Sequence, residues 1–303
     1  MSSTAFACSS RIGGVRFALA LACVMAFGAA GLPSPAAAAA GTVYGGATAQ
    51  DDPLALVVSR DHRLVRGMLV HVDLRCADGK GAVWAGPIFV RQGRPRTPRP
   101  GDNVAFGGAI SPTGRVRLQG LGTTDYGSAV GAVRETIGAR LQGPVASGTL
   151  SMTIRLADKT TAAPVTTCRS GMVRWRAVHA PGRVFAGLTE QGRPIVVRVD
   201  RSGTRVTDVQ VSWIADCTSG GAADLGDHLT NFALVPGGRF GDDFTQAFDQ
   251  PGGGRSSFAY RIHGTVGRRR ASGTFAVTET DTNAAGATVD TCTLAPMRWS
   301  AVS

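Results

Sequence analysis

Between Met68 and Cys76 apolar and polar side chains alternate. Met68, Val70, Val72, Leu74 and Cys76 share one parity, and Leu69, His71, Asp73 and Arg75 share the other. A strand sends successive side chains to opposite faces, so this run reads as a half-buried strand with His71 on its polar face. Val209, Val211, Trp213, Ala215 and Cys217 repeat the pattern, against Gln210, Ser212, Ile214 and Asp216. Leu150, Met152, Ile154 and Leu156 alternate likewise, as do Val173, Trp175 and Ala177, and Met297, Trp299 and Ala301. Glycine, proline and asparagine punctuate such runs at Arg201–Gly203, Pro236–Gly238, Pro251–Gly254 and Asp281–Asn283. Beyond residue 40 no segment carries an apolar stripe of helical period over three turns. The pattern predicts an all-β chain.

The pattern also repeats. Residues 43–79 align without a gap on residues 184–220, at an offset of 141. Tyr44 meets Phe185, Gly46 meets Gly187, Thr48 meets Thr189, Gln50 meets Gln191, Pro53 meets Pro194 and Cys76 meets Cys217. Ala146–Leu150 then matches Ala271–Phe275 at an offset of 125, and Cys168, Arg174 and Trp175 match Cys292, Arg298 and Trp299 at 124. Three ordered matches predict a duplication, with copies at 41–180 and 181–303. Each copy is expected to be an antiparallel β-sandwich or small β-barrel of about seven or eight strands. The falling offset implies an insertion in the first copy, for which Gly86–Asn103 is the candidate. The shared polar residues Thr48/Thr189 and Gln50/Gln191 are expected to make local hydrogen bonds.

Composition agrees with two packed units. The chain has 303 residues, 43% of them hydrophobic, enough to bury real cores, and only 17% charged, which excludes a highly charged disordered chain. Its 41 glycines follow no Gly-X-Y period, so collagen is excluded.

The first forty residues read as a secretory signal. Arg11 and Arg16 precede the apolar run Phe17–Leu32, Pro33 and Pro35 break it, and small residues suited to cleavage follow at Ala38–Ala40. The run is short for a membrane span, and no later stretch is long and apolar enough to make one. Ala20 stands where a lipidated Cys23 would need a branched aliphatic residue, so a lipoprotein is not expected. Export would remove Cys8 and Cys23 and leave four cysteines, which allow three pairings. The duplication selects Cys76–Cys168 and Cys217–Cys292, one bond per copy, as an oxidising compartment favours.

Charge separates the copies. The chain carries a formal +11, of which Arg11 and Arg16 supply two. Residues 41–180 hold 16 Arg and 2 Lys against 8 Asp and 1 Glu, a surplus of +9, whereas residues 181–303 are neutral, with 12 Arg against 10 Asp and 2 Glu. Arg91, Arg94, Arg96 and Arg99 lie in the candidate insertion among Pro95, Pro98 and Pro100. Proline keeps such a segment extended, and an extended arginine ladder can pair with phosphate, sulfate or carboxylate. These four are the candidate anion-binding residues. Arg268–Arg270 form a second basic spot. The nearest aromatics, Trp84 and Phe89, are not clustered, which argues against specific nucleic-acid recognition.

Candidate chemistry is sparse. His62, His71, His179, His228 and His263 fall into no metal-ligand spacing, and neither a G-x-S-x-G elbow nor a Walker loop occurs. Asp224, Asp227 and His228, two carboxylates and an imidazole within five residues, could hold a divalent cation; the alternative is a plain polar loop between strands. Asp51–Asp52 and Asp242–Asp243 are adjacent carboxylates, which point apart in a strand and cap turns elsewhere. No cofactor, metal site or catalytic residue is expected.

The paired pattern G-x-x-x-x-G-x-T-x-Q, an alternating strand ending in cysteine and a closing Cys…Arg-Trp resembles uncharacterised secreted β-repeat proteins of high-GC bacteria. The resemblance implies the architecture and no activity. The residues favour a non-enzymatic binding or structural role at the cell envelope, with contact to anionic polymers through the basic first copy. The alternative is a secreted hydrolase acting on polysaccharide or protein.

Overall fold

A computed structural model describes residues 41–91, 103–126, 128–250 and 253–303. The proposed signal, with Cys8 and Cys23, and Arg94, Arg96 and Arg99 lie outside them.

The first copy contains β1 (Gly41–Thr48), β2 (Pro53–Ser59), β3 (Val65–Cys76), β4 (Gly81–Arg91), β5 (Asn103–Gly107), β6 (Arg115–Tyr126), β7 (Ala129–Gln142), β8 (Val145–Asp158) and β9 (Pro164–Val178). Each strand hydrogen-bonds to the next, and β9 returns to β1, closing a barrel. Every pairing is antiparallel except β4 with β5. The second copy contains β10 (Val184–Thr189), β11 (Pro194–Val199), β12 (Arg205–Cys217), β13 (Ala222–Ala233), β14 (Arg239–Asp249), β15 (Arg255–Val266), β16 (Arg270–Thr282) and β17 (Thr288–Val302). Its eight strands run β13-β12-β11-β10-β17-β16-β15-β14, the same order without a counterpart of β5. The described residues are therefore all-β, in sheets of nine and eight strands. Among the described residues no helix is long and apolar enough to cross a membrane.

Sequence alternation explains what each unit buries. The apolar parity of β3 and its neighbours fills the first barrel with Leu54, Met68, Leu118, Ile137, Leu150 and Trp175. Phe185, Trp213, Ile262, Phe275 and Trp299 form the core of the eight-stranded sheet of the second copy. Each fully buried large side chain contributes roughly 1.5–3 kcal/mol. The repeated Ala-Ser-Gly-Thr and Arg-Trp motifs meet in space. Gly148 pairs with Trp175 and Gly273 with Trp299 on the neighbouring strand. A Cβ on either glycine would come within 2.8 Å of the indole, so glycine is what lets the tryptophan lie flat across the strand.

The cysteines pair as the duplication predicts. β3 and β9 run past the short β1–β2 hairpin and pair directly, with Cys76 opposite Cys168 at bonding distance. Cys217 and Cys292 do the same between β12 and β17.

Gly86–Arg91, included in the expected insertion, form the end of β4. The extra chain lies between β4 and β6, where the second copy has only the turn from β13 to β14. Its described part, β5, fills the seam that closes the first barrel.

Candidate functional site

The copies meet through equivalent elements. Val43 and Ala55 of the first pack against Val184, Ala186 and Val196 of the second. Positions 43 and 184 correspond, as do 55 and 196, so each copy offers the other the same patch, as in a twofold-symmetric dimer.

At one side of this contact lies a buried polar cluster. His71 and Ser212, equivalent positions of the two copies, share a hydrogen bond of 2.6 Å between Nδ1 and Oγ. His71 Nε2 lies 3.5 Å from Asp52 Oδ1 and 3.8 Å from Asp73. Arg193, the equivalent of Asp52, donates to Ser212 and forms a two-pronged ion pair with Asp224 at 2.5 and 2.7 Å. Gly226 gives Asp52 its room, since a Cβ there would overlap the carboxylate. Burial pushes the Asp52 carboxyl up to about 7. Burial also opposes protonation of His71, but Asp52, Asp73 and Asp224 outweigh it and hold the imidazole above its ordinary value.

The order Ser212, His71, Asp52 is that of a nucleophile, base and orienting acid. Nucleophilic attack, however, needs a substrate carbonyl beside the hydroxyl, and Ser212 is 0% exposed with His71 at 1%. The cluster is built as an interface lock. Asp52, His71 and Asp73 also offer three ligand atoms within 4.8 Å of one another, with His71 Nδ1 already committed to Ser212.

Beside the cluster an ion-pair chain closes one edge of the interface. Asp51 accepts from Gln210 and pairs with His228 Nδ1 at 2.8 Å. His228 Nε2 lies 2.6 Å from Asp208, which also pairs with Arg198. Hydrogen bonds to Asp208 and Asp51 push the His228 imidazole up to about 10. The hydrogen bond from His228 likewise lowers Asp51. The opposite edge holds an apolar cleft of about 520 Å³ between β2–β4 of the first copy and β10 and β17 of the second.

The cation candidates of the sequence do not converge. Asp224, Asp227 and His228 lie within strand β13, not in a loop. Alternation sends Asp227 inward to Trp213 Nε1 and Tyr260, while Asp224 and His228 face the first copy. Asp243 pairs with Arg261 and His263 along β14 and β15. Thr48 Oγ1 accepts from the amides of Gln50 and Asp52, and Gln50 clamps the backbone of Asp73. Thr189 and Gln191 repeat this on Arg193 and Ile214.

Arg91 ends β4, beside Phe106 of β5. A larger basic feature lies on the outer face of β6–β9. In register across these strands run Arg115, Arg140, Ser147 and Arg176; then Arg117, Gly138, Thr149 and Arg174; then Leu121, Arg134, Thr153 and Arg169. All seven arginines are exposed, as is Arg155 farther along β8. Among the described residues none of these eight makes an ion pair with an acid. The doublets Arg115/Arg117 and Arg174/Arg176 are visible in the sequence at strand spacing; their assembly needs the register. On the same face of the second copy, Arg261 and Arg298 do have acidic partners, Asp243 and Glu190.

No protein-family model, curated protein or solved structure matches the chain.

Proposed function

We propose that the protein is exported and serves as a non-enzymatic binding protein at the cell envelope, holding an anionic polymer on the arginine face of its first copy. The observation that carries this reading is the grid of exposed, acid-free arginines on β6–β9. Opposed side chains on neighbouring strands stand about 5 Å apart, and alternate residues along a strand about 6.8 Å. Such a grid can meet successive phosphate or carboxylate groups of one chain with charge-assisted hydrogen bonds. Export is supported by the signal-like composition of residues 1–40 and by two disulfides, which suit an oxidising compartment. A hydrolase reading draws on the Ser212–His71–Asp52 line, and the burial of its serine weighs against it.

Chromatography on phosphocellulose, with uncharged cellulose as control, tests the proposal. Wild type is expected to bind at low salt and elute as salt rises. The variant R115Q/R117Q/R174Q/R176Q is expected to elute earlier, and removal of residues 92–102, with Arg94, Arg96 and Arg99, to advance elution further. Elution of the fourfold variant together with wild type would refute the assignment.

A further inference from the structure

The two edges of the inter-copy interface are built from equivalent positions, yet one is filled and the other open. On the filled edge Arg198, Asp208, Gln210 and His228 confront Asp51. At an offset of 141, their counterparts on the open edge are Val57, Gly67, Leu69 and Pro87, confronting Gly192. Charged and amide side chains have been exchanged for apolar or missing ones at each place. The cleft is thus a local departure from the packing that the same fold achieves on its other side.

We infer that this cleft binds a small amphipathic molecule, an aliphatic chain ending in a carboxylate. Its volume of about 520 Å³ falls within the range of small-ligand sites. Its walls offer Val57, Leu69, Pro87, Leu188 and Phe89 to an aliphatic chain, and Phe89 is 40% exposed without one. Covering this apolar surface is favourable in proportion to the area removed from water. The mouth selects the charge. Glu190 is engaged by Arg298 at 2.6 Å, whereas Arg66 has no acidic partner among the described residues. The free guanidinium suits a carboxylate head and repels an ammonium one. The site lies on β2–β4, β10 and β17, apart from the arginine face on β6–β9, so it stands or falls independently of polymer binding.

Titration calorimetry of the full chain with dodecanoate below its micellar concentration tests the inference, with dodecyltrimethylammonium as the same chain bearing the opposite head. One dodecanoate per chain is expected, bound about tenfold more tightly than the ammonium compound. Arg66→Gln, at an exposed side chain, should weaken dodecanoate about fivefold and narrow the preference between heads. V57R/P87H, which installs the second copy's residues, should remove binding while leaving the thermal transition in place. Absence of dodecanoate binding to wild type, equal affinity for the two heads, or undiminished binding to both variants would each overturn it. So would sedimentation showing that Phe89 is instead covered by a second copy of the chain.

Discussion

His71 and Ser212 occupy the same place in the two copies, and they hydrogen-bond to each other, 2.6 Å apart, where the copies meet. Divergence to imidazole and hydroxyl gives a complementary pair. Either substitution alone leaves a buried polar group unpaired, which costs about 1–3 kcal/mol. His71→Ala and Ser212→Ala should each lower the urea midpoint, and the double variant should lose less than the sum. Strict additivity would show that the bond does not couple the copies.

His228 should make stability depend on alkaline pH. Its folded-state value of about 10 lies above the ordinary 6.5, through Asp208 and Asp51. The stabilisation is therefore complete below about 6.5 and disappears as pH rises through about 10. The side chain is 38% exposed, so solvent screening keeps the effect modest. His228→Gln should flatten the unfolding midpoint over that interval. An imidazole that titrates near its ordinary value by NMR would contradict this.

Glu135 acts in the same direction over a lower pH range. It is buried inside the first barrel with Oε2 lacking a partner, and burial pushes its carboxyl up to about 8. The protonated form suits the folded state, so wild type should lose stability as pH climbs from about 4.5 through 8. Glu135→Gln keeps the shape and cannot ionise. Its denaturation midpoint should exceed that of wild type at about pH 8, and the advantage should shrink at about pH 5. An advantage of equal size at both would point to packing instead.

The two disulfides close loops of similar length, with sequence separations of 92 and 75 residues. On chain entropy each should contribute roughly 4–5 kcal/mol, less any strain. C76S/C168S and C217S/C292S should therefore destabilise by comparable amounts in calorimetry. A large effect from one pair alone would mean that the copies do not share the same anchoring.

Neutralising the arginine face should alter salt dependence as well as affinity. If each arginine displaces one counterion from a phosphate polymer, the slope of log affinity against log salt falls by about 0.7–0.9 per contact removed. R174Q/R176Q should then lower the slope by roughly 1.5. An unchanged slope would place the contacts elsewhere.

Alternation of side chains alone determined that Met68–Cys76 and Val209–Cys217 are strands and which parity they bury. Self-similarity alone determined the two copies and the cysteine pairing, because equivalent residues on equivalent strands face the same neighbour. These properties are local, or repeat along the chain. What covers the outer parity is neither. His71 belongs to the polar face of β3, yet it is buried, because the second copy lies against that face. Asp224, Asp227 and His228 look like one group in sequence, and the pleat of β13 sends them to different partners. Arg115, Arg140 and Arg176 are far apart in the chain and become neighbours only through strand register. One strand's period sets which way a side chain points; only the packed sheets set what it meets there, and for this protein those meetings make the lock, the cleft and the basic face.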